Sequence, residues 1–130
     1  MKAKFPIQVR FSDVDSLGHV NNAVYLSYFE MARVLFMNEH IGPHWDWRNK
    51  GMILRKNEVE YLQPVYLYED VEIEIIPHHL GNTSFTLDYI LFANGVPKCK
   101  GRSVLVCFNF VTNKKIEVYD EFKSLFHEIS

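Results

Sequence analysis

The chain has 130 residues, 48% of them hydrophobic, and a formal net charge of -2 at pH 7. That length and apolar content suit one domain with a real core and are too short for two ordinary ones, so a single domain over 1–130 is expected. The near-neutral charge gives no basic footprint for nucleic acid or anionic lipid, no run approaches the roughly 20 apolar residues of a membrane span, and residues 1–10 lack the apolar core of a signal peptide, so a cytoplasmic protein with neither partner is expected.

Residues Phe5 to Phe11 alternate as a strand, with Pro6 confining that end to an edge or a first position. Asp13 and Asp15 fall where the alternation stops, and a loop carries Gly18, His19 and the pair Asn21-Asn22 before helical periodicity begins. A carboxylate therefore stands beside a helix start, whose unsatisfied N–H groups and positive dipole end suit a developing oxyanion. From Ala23 to about Asn38 the pattern is helical and apolar nearly all round, with Ser27, Glu30, Arg33 and Asn38 as a narrow polar stripe, so burial on most sides is expected. Gly42-Pro43 stops the helix.

The segment His44 to Lys50 is an aromatic-bearing connection without a readable role. After Gly51 the chain is strand-like: Met52 to Gln63 is mixed, Val71, Ile73 and Ile75 alternate with Glu72 and Glu74, and Phe85, Leu87, Tyr89 and Leu91 alternate with Ser84, Thr86 and Asp88. Asn94-Gly95 signals a hairpin into a long strand from Val96 to about Val111, Thr112 to Lys115 turns the chain, and a short amphipathic helix from Tyr119 to His127 follows. Cys99 and Cys107 lie eight residues apart on that long strand. A continuous strand would hold them about 26 Å apart, against a usual limit of about 7 Å between bridged Cα atoms, so no bridge between them is expected.

The order strand, one long buried helix, then about four antiparallel strands predicts an α+β fold in which a curved sheet wraps the helix. A chain this short leaves part of helix or sheet uncovered, which predicts an oligomer.

The pattern D-x-x-G-H-V-N-N-x-x-Y, carried by Asp15, Gly18, His19, Val20, Asn21, Asn22 and Tyr25, resembles the signature of hot-dog-fold thioesterases, the superfamily of 4-hydroxybenzoyl-CoA thioesterase and the acyl-CoA and acyl-ACP thioesterases. Arg55 to Pro64, Gly81 to Phe85 and the strand from Val96 extend the likeness over almost the whole chain. The resemblance implies a hot-dog fold of about five strands, homodimers or homotetramers with edge-to-edge sheets, and active sites at the dimer interface. It further implies hydrolysis of an acyl-CoA or acyl-ACP thioester without a cofactor, Asp15 as general base or nucleophile, and the Asn22 backbone N–H as the donor that polarises the carbonyl. His19, Asn21 and Asn22 stand where the 4-hydroxybenzoyl-CoA branch is apolar or aromatic and match the H-V-N-N of acyl-ACP enzymes better. Gly81-Asn82-Thr83 replaces that branch's basic run for the nucleotide.

Each candidate carries a second reading. Asp15 suits a turn or cap as well as catalysis, and Asp13 is the structural one of the two, holding the loop through backbone N–H groups. His19 either orients water or thioester or bonds backbone. Asn21 and Asn22 are cap residues first. Glu30 pairs with Arg33 at i,i+3 or, as in a second hot-dog branch, serves as the carboxylate. Tyr25, Arg55, Lys56, Asn82, Thr83 and Ser84 are the substrate-binding candidates. Lys98, Lys100 and Arg102 join them as phosphate partners or serve only as a solvated strand edge. No metal site is expected, because none of the six histidines stands at ligand spacing from a carboxylate or cysteine. Two rival classes remain: an acyl-CoA or acyl-ACP binding module, and a hot-dog hydratase. The hydratase spacing Asp-x-x-x-x-His is missed by one residue from either aspartate.

Overall fold

The computed structural model describes residues 4–129. The chain runs through β1 (Lys4–Ile7), a 3-10 turn (Phe11–Asp13), α1 (Val24–Ile41), β2 (Gly51–Tyr61), β3 (Val71–Leu80), β4 (Ser84–Ala93), β5 (Val96–Asn109), β6 (Lys114–Lys115) and α2 (Asp120–Ile129). The strands form one antiparallel sheet in the order β1-β3-β4-β5-β2, with the two-residue β6 also on β5. This is the α+β hot-dog arrangement, one long helix against a curved, open sheet. Part of the signal-peptide reading falls on residues 1–3, outside the described residues.

The first strand is shorter than its alternation predicts. It pairs with β3 only from Lys4 to Ile7. Asp13 then captures the Arg10 backbone N–H (3.0 Å), and the Asp13 N–H returns to the Arg10 carbonyl (2.9 Å), which closes the turn and removes donors from the ladder. Pro6, which has no N–H to give, stands on this edge strand.

The mixed character of the segment after Gly51 has a local cause. The register of β2 against β5 shifts between Leu54 and Lys56, so Arg55 is an extra residue and the inside-outside alternation changes phase there. A second shift lies between Pro77 and His79. Lys114 and Lys115, placed in a turn by the sequence, pair with Asn109 and Phe108.

Helix α1 buries Tyr25, Tyr28, Phe29, Ala32, Arg33, Phe36 and Met37. It presses hardest at Gly101 of β5, where an added Cβ would stand 2.6 Å from the Phe29 ring, and that ring stacks on Tyr89 with centroids 4.7 Å apart. Only glycine permits that approach. The helix is buried on one side rather than on most sides: Leu26, Met31, Val34 and Leu35 remain 38–52% exposed in the single chain.

The connection between α1 and β2 has a packing role. Trp45 stacks on Phe122 of α2 (5.5 Å), lies near Tyr119, and donates its indole N–H to the Lys50 carbonyl (2.6 Å). Tyr119 in turn donates to the Gly51 carbonyl (3.0 Å), so the connection pins α2 over the start of β2. Cys99 and Cys107 are free and buried on β5, where burial pushes their thiols up to about 12 and about 11.

Candidate active site

The loop before α1 is built around its two aspartates. Asp13 is 2% exposed, receives the Arg10 guanidinium (3.0 Å) and the Tyr28 hydroxyl (2.7 Å), and accepts the Asn21 N–H on its own carbonyl (2.9 Å). Burial opposes its charge, but the Arg10 backbone N–H, the Tyr28 hydroxyl and the guanidinium outweigh burial and hold its carboxyl below the usual range. It fixes the loop to the first turns of the helix.

Asp15 is exposed and closes a tighter turn. Its N–H donates to the His19 carbonyl (2.8 Å), its carbonyl accepts from Gly18 (3.0 Å), and Gly18 reaches φ +81°, where a side chain would be strained. Asp15 Oδ1 accepts the Leu17 N–H (2.9 Å) and more weakly the His19 N–H (3.3 Å). Oδ2 makes no hydrogen bond among the described residues. The turn is anchored by bridges from Val14 to Val20 and from His19 to Tyr66, and by the Val20 N–H on the Val65 carbonyl (2.8 Å).

Asn21 closes the turn that leads into the helix: its side chain accepts the Ala23 N–H and its carbonyl the Val24 N–H, both at 2.9 Å, while the cap position itself is Ala23, without a side-chain cap. The Asn22 backbone N–H has no acceptor among the described residues, while the Asn22 carbonyl accepts the Tyr61 hydroxyl (2.7 Å). The peptides at the helix start are thus oriented from both sides, with the Asn22 donor open.

These pieces line a small cleft of about 200 Å³ formed by His19, Val20, Asn22, Tyr25, Tyr61, Leu62, Gln63 and Pro64. The His19 ring stands edge-on to Tyr66 (5.0 Å), and Tyr25 edge-on to Tyr61 (5.1 Å). Burial pushes Tyr25 up to about 12, so it is a neutral hydroxyl at physiological pH. A wider groove of about 940 Å³ follows β1 and the stretch 67–72 and shares no lining residue with the cleft.

Three of the sequence candidates, His19, Asn22 and Tyr25, meet in the cleft, with the Asp15 turn beside them. The others do not within one chain. Ser84 pairs with Val106 on β5 whereas Tyr61 pairs with Cys99, seven residues along the same strand, or about 23 Å. Asn82, Thr83 and Ser84 therefore occupy the opposite end of the sheet, where the Asn82 carbonyl accepts from Val118 and that of Thr83 from Cys107. Lys56 pairs with Glu58 (2.9 Å), and Arg102 with Asp88 through two hydrogen bonds (2.6 and 3.0 Å). Arg55 is exposed in its bulge. Sequence reasoning assigned no role to Tyr61 or Gln63, although both lie in the quoted stretch Arg55 to Pro64. Glu30 and Arg33 form no ion pair; Arg33 turns instead to the Tyr89 hydroxyl (3.0 Å).

Residues 9–126 match the family model described as the thioesterase-like superfamily. Among solved structures, a thioesterase from Thermus thermophilus complexed with coenzyme A and Zn is 34% identical, with TM-score 0.81 and coverage of 93% of this chain and 94% of that one. A Bacillus stearothermophilus structure described as a predicted thioesterase is 31% identical, with TM-score 0.86 and coverage of 97% and 94%. YsmA of Bacillus subtilis is 28% identical over 118 residues, 90% of this chain and 80% of its own length. Among the described residues, no three His, Cys, Asp or Glu side chains cluster as a metal site, and no helix is long and apolar enough to cross a membrane.

Proposed function

The chain belongs to the thioesterase-like superfamily, and on that premise we propose that it hydrolyses an acyl-CoA thioester to the free acid and thiol, with Asp15 as the general base. The observation that carries this reading is the open Asn22 N–H at a helix start, on the wall of the cleft beside the Asp15 turn. A thioester's leaving group is a thiol with pKa near 8.5, so its departure needs little acid assistance. The site must supply an activated attacker and a donor for the carbonyl oxygen, and nothing more elaborate.

Asp15 Oδ1 is engaged by the loop backbone, which orients the carboxylate, and Oδ2 is the face that takes the proton from water. The Asn22 N–H, reinforced by the positive end of α1, stabilises the oxyanion as it forms. The Val24 N–H on the Asn21 carbonyl holds the peptide that bears this donor, and the Tyr61 hydroxyl on the Asn22 carbonyl holds the next one. His19 borders the cleft and positions the thioester or the water.

The working form in this reading is a homodimer, itself able to pair into a tetramer. Strand β2 is an edge of the sheet, 11 residues long, and lies beside the exposed apolar face of α1. Antiparallel pairing of two β2 edges sets the Gly51 end of one strand against the Tyr61 end of the other. Asn82, Thr83 and Ser84 of the partner subunit then approach the cleft that they cannot reach in their own chain, and Arg55 and Lys56 join them for the nucleotide phosphates. The 130 residues act as one domain, in the cytoplasm.

The test is thiol release from a panel of CoA and ACP thioesters, short aliphatic through long-chain and aromatic. Turnover of at least one CoA thioester, lost in Asp15→Asn, is expected. Saturable binding of a thioester without thiol release would replace the enzyme by a binding module.

A further inference from the structure

Arg33 is 7% exposed, yet its guanidinium has one hydrogen bond among the described residues, to the Tyr89 hydroxyl (3.0 Å), and no ion pair. A guanidinium has five donors, and no Arg33 nitrogen is both buried and without a partner, so the donors that Tyr89 does not take are open to the cleft. The open donors belong to a residue that lines a second cleft, of about 320 Å³, between α1 and the start of β2. Its walls are otherwise mostly apolar: Val34, Met37, Trp47, Met52, Leu54 and Leu105. Glu30 and Asn38 also border it; Glu30 is exposed and leaves the guanidinium fork unengaged.

The position of this cleft relative to the Asn22 donor is set by the helix. Asn22 stands two residues before α1, and Leu26, Glu30, Arg33 and Met37 are spaced by four, three and four residues, a single stripe along the helix. Eleven residues separate Asn22 from Arg33, a rise of roughly 16 Å, and side chains lean back toward the helix N-terminus, which shortens the gap. A chain whose carbonyl rests at Asn22 and which follows this stripe reaches Arg33 with its far end.

We infer that Arg33 receives a carboxylate at the far end of the acyl group, so that the preferred substrates are thioesters of medium-length dicarboxylic acids. The inference rests on the thioesterase reading for the reaction but not for the binding. The apolar walls take the methylene chain, and the planar fork of Arg33 takes the terminal carboxylate through paired hydrogen bonds, while Tyr89 fixes the guanidinium from behind. A plain fatty acyl chain would lay a methyl group against the unpaired cation.

Two measurements on the full-length protein test this. In the first, octanoyl-CoA and its ω-carboxy counterpart, the mono-CoA thioester of octanedioic acid, are compared in wild type, Arg33→Met and Arg33→Lys. Wild type should favour the carboxylated substrate in kcat/KM by at least about tenfold. Arg33→Met should lose that preference, the ratio of the two kcat/KM values falling to about one, and Arg33→Lys should keep part of it. In the second, calorimetry compares monomethyl octanedioate with methyl octanoate, which needs no hydrolysis and no variant. Tighter binding of the carboxylated ester by wild type, with no thiol release from any thioester, would defeat the enzymatic reading and leave the carboxylate receptor standing. Equal binding of the two esters, a wild-type preference for octanoyl-CoA, or an Arg33→Met protein that loses its partner subunit while keeping its selectivity would overturn the inference.

Discussion

The Tyr28 hydroxyl, from the second turn of α1, donates a 2.7 Å hydrogen bond to Asp13 Oδ2, so the loop that carries Asp15 and His19 is tied to the helix that supplies the Asn22 donor. A buried carboxylate in this position is a structural clamp on the site. It can be separated from catalysis by its dependence on pH.

Asp13 titrates below the ordinary carboxylate range in the folded chain, because the donors on it outweigh its burial. A depressed folded pKa means that the stabilisation is complete above the unfolded value, about 3.9, and is lost as pH falls through the folded value. Asp13→Asn should therefore lower stability by about 1–3 kcal/mol at pH 7. The gap to wild type should narrow below about pH 4. Thermal melts of both proteins from pH 3 to pH 8 measure it; a gap independent of pH would mean that the charge of Asp13 contributes nothing.

The sequence carried the elements well where one physical cause dominated. The alternation of β3 and β4, the Asn94-Gly95 turn and the stop at Gly42 all reappear. It failed where a tertiary partner decided the matter. The pattern from Phe5 to Phe11 is strand-like throughout, but Asp13 takes the Arg10 N–H and ends the ladder at Ile7. The Arg33 side chain has Glu30 at the right spacing and turns instead to Tyr89, 56 residues away. For the candidate site, the pattern from Asp15 to Tyr25 located the helix-start cleft, while the far placement of Asn82, Thr83 and Ser84 follows from strand register, which no local pattern contains.

Subunit pairing should depend on the apolar face of α1. Met31 is 50% exposed in the single chain. In the proposed dimer Met31→Glu would bury an unpaired carboxylate, whereas in a monomer it would only add a surface charge. Light scattering at micromolar concentration should give at least a dimer for wild type and a shift toward monomer for Met31→Glu, with thiol release falling as the sites lose their second half. A wild-type monomer that turns over thioester at full rate would remove the partner from the site.

Asp15→Asn separates the roles of the residue, since one carboxylate oxygen already serves the loop. Asparagine keeps the shape and one acceptor for the Leu17 and His19 N–H groups, so the turn closed by Gly18 should persist, at a cost of a few tenths to about 1 kcal/mol. It removes the charge of the carboxylate. If Oδ2 takes the proton from water, turnover should fall by at least about a hundredfold, the lower end of general-base contributions, with KM little changed because the thioester's contacts remain. Asp13→Asn is the control, affecting melting temperature more than rate. Steady-state kinetics on the best thioester, beside thermal melts, decide the matter: an Asp15→Asn protein with more than about a tenth of wild-type turnover and an unchanged melting temperature would take Asp15 out of the mechanism. Glu30, exposed on the same face of α1, and His19, on the cleft wall, would then be the groups to test for the base.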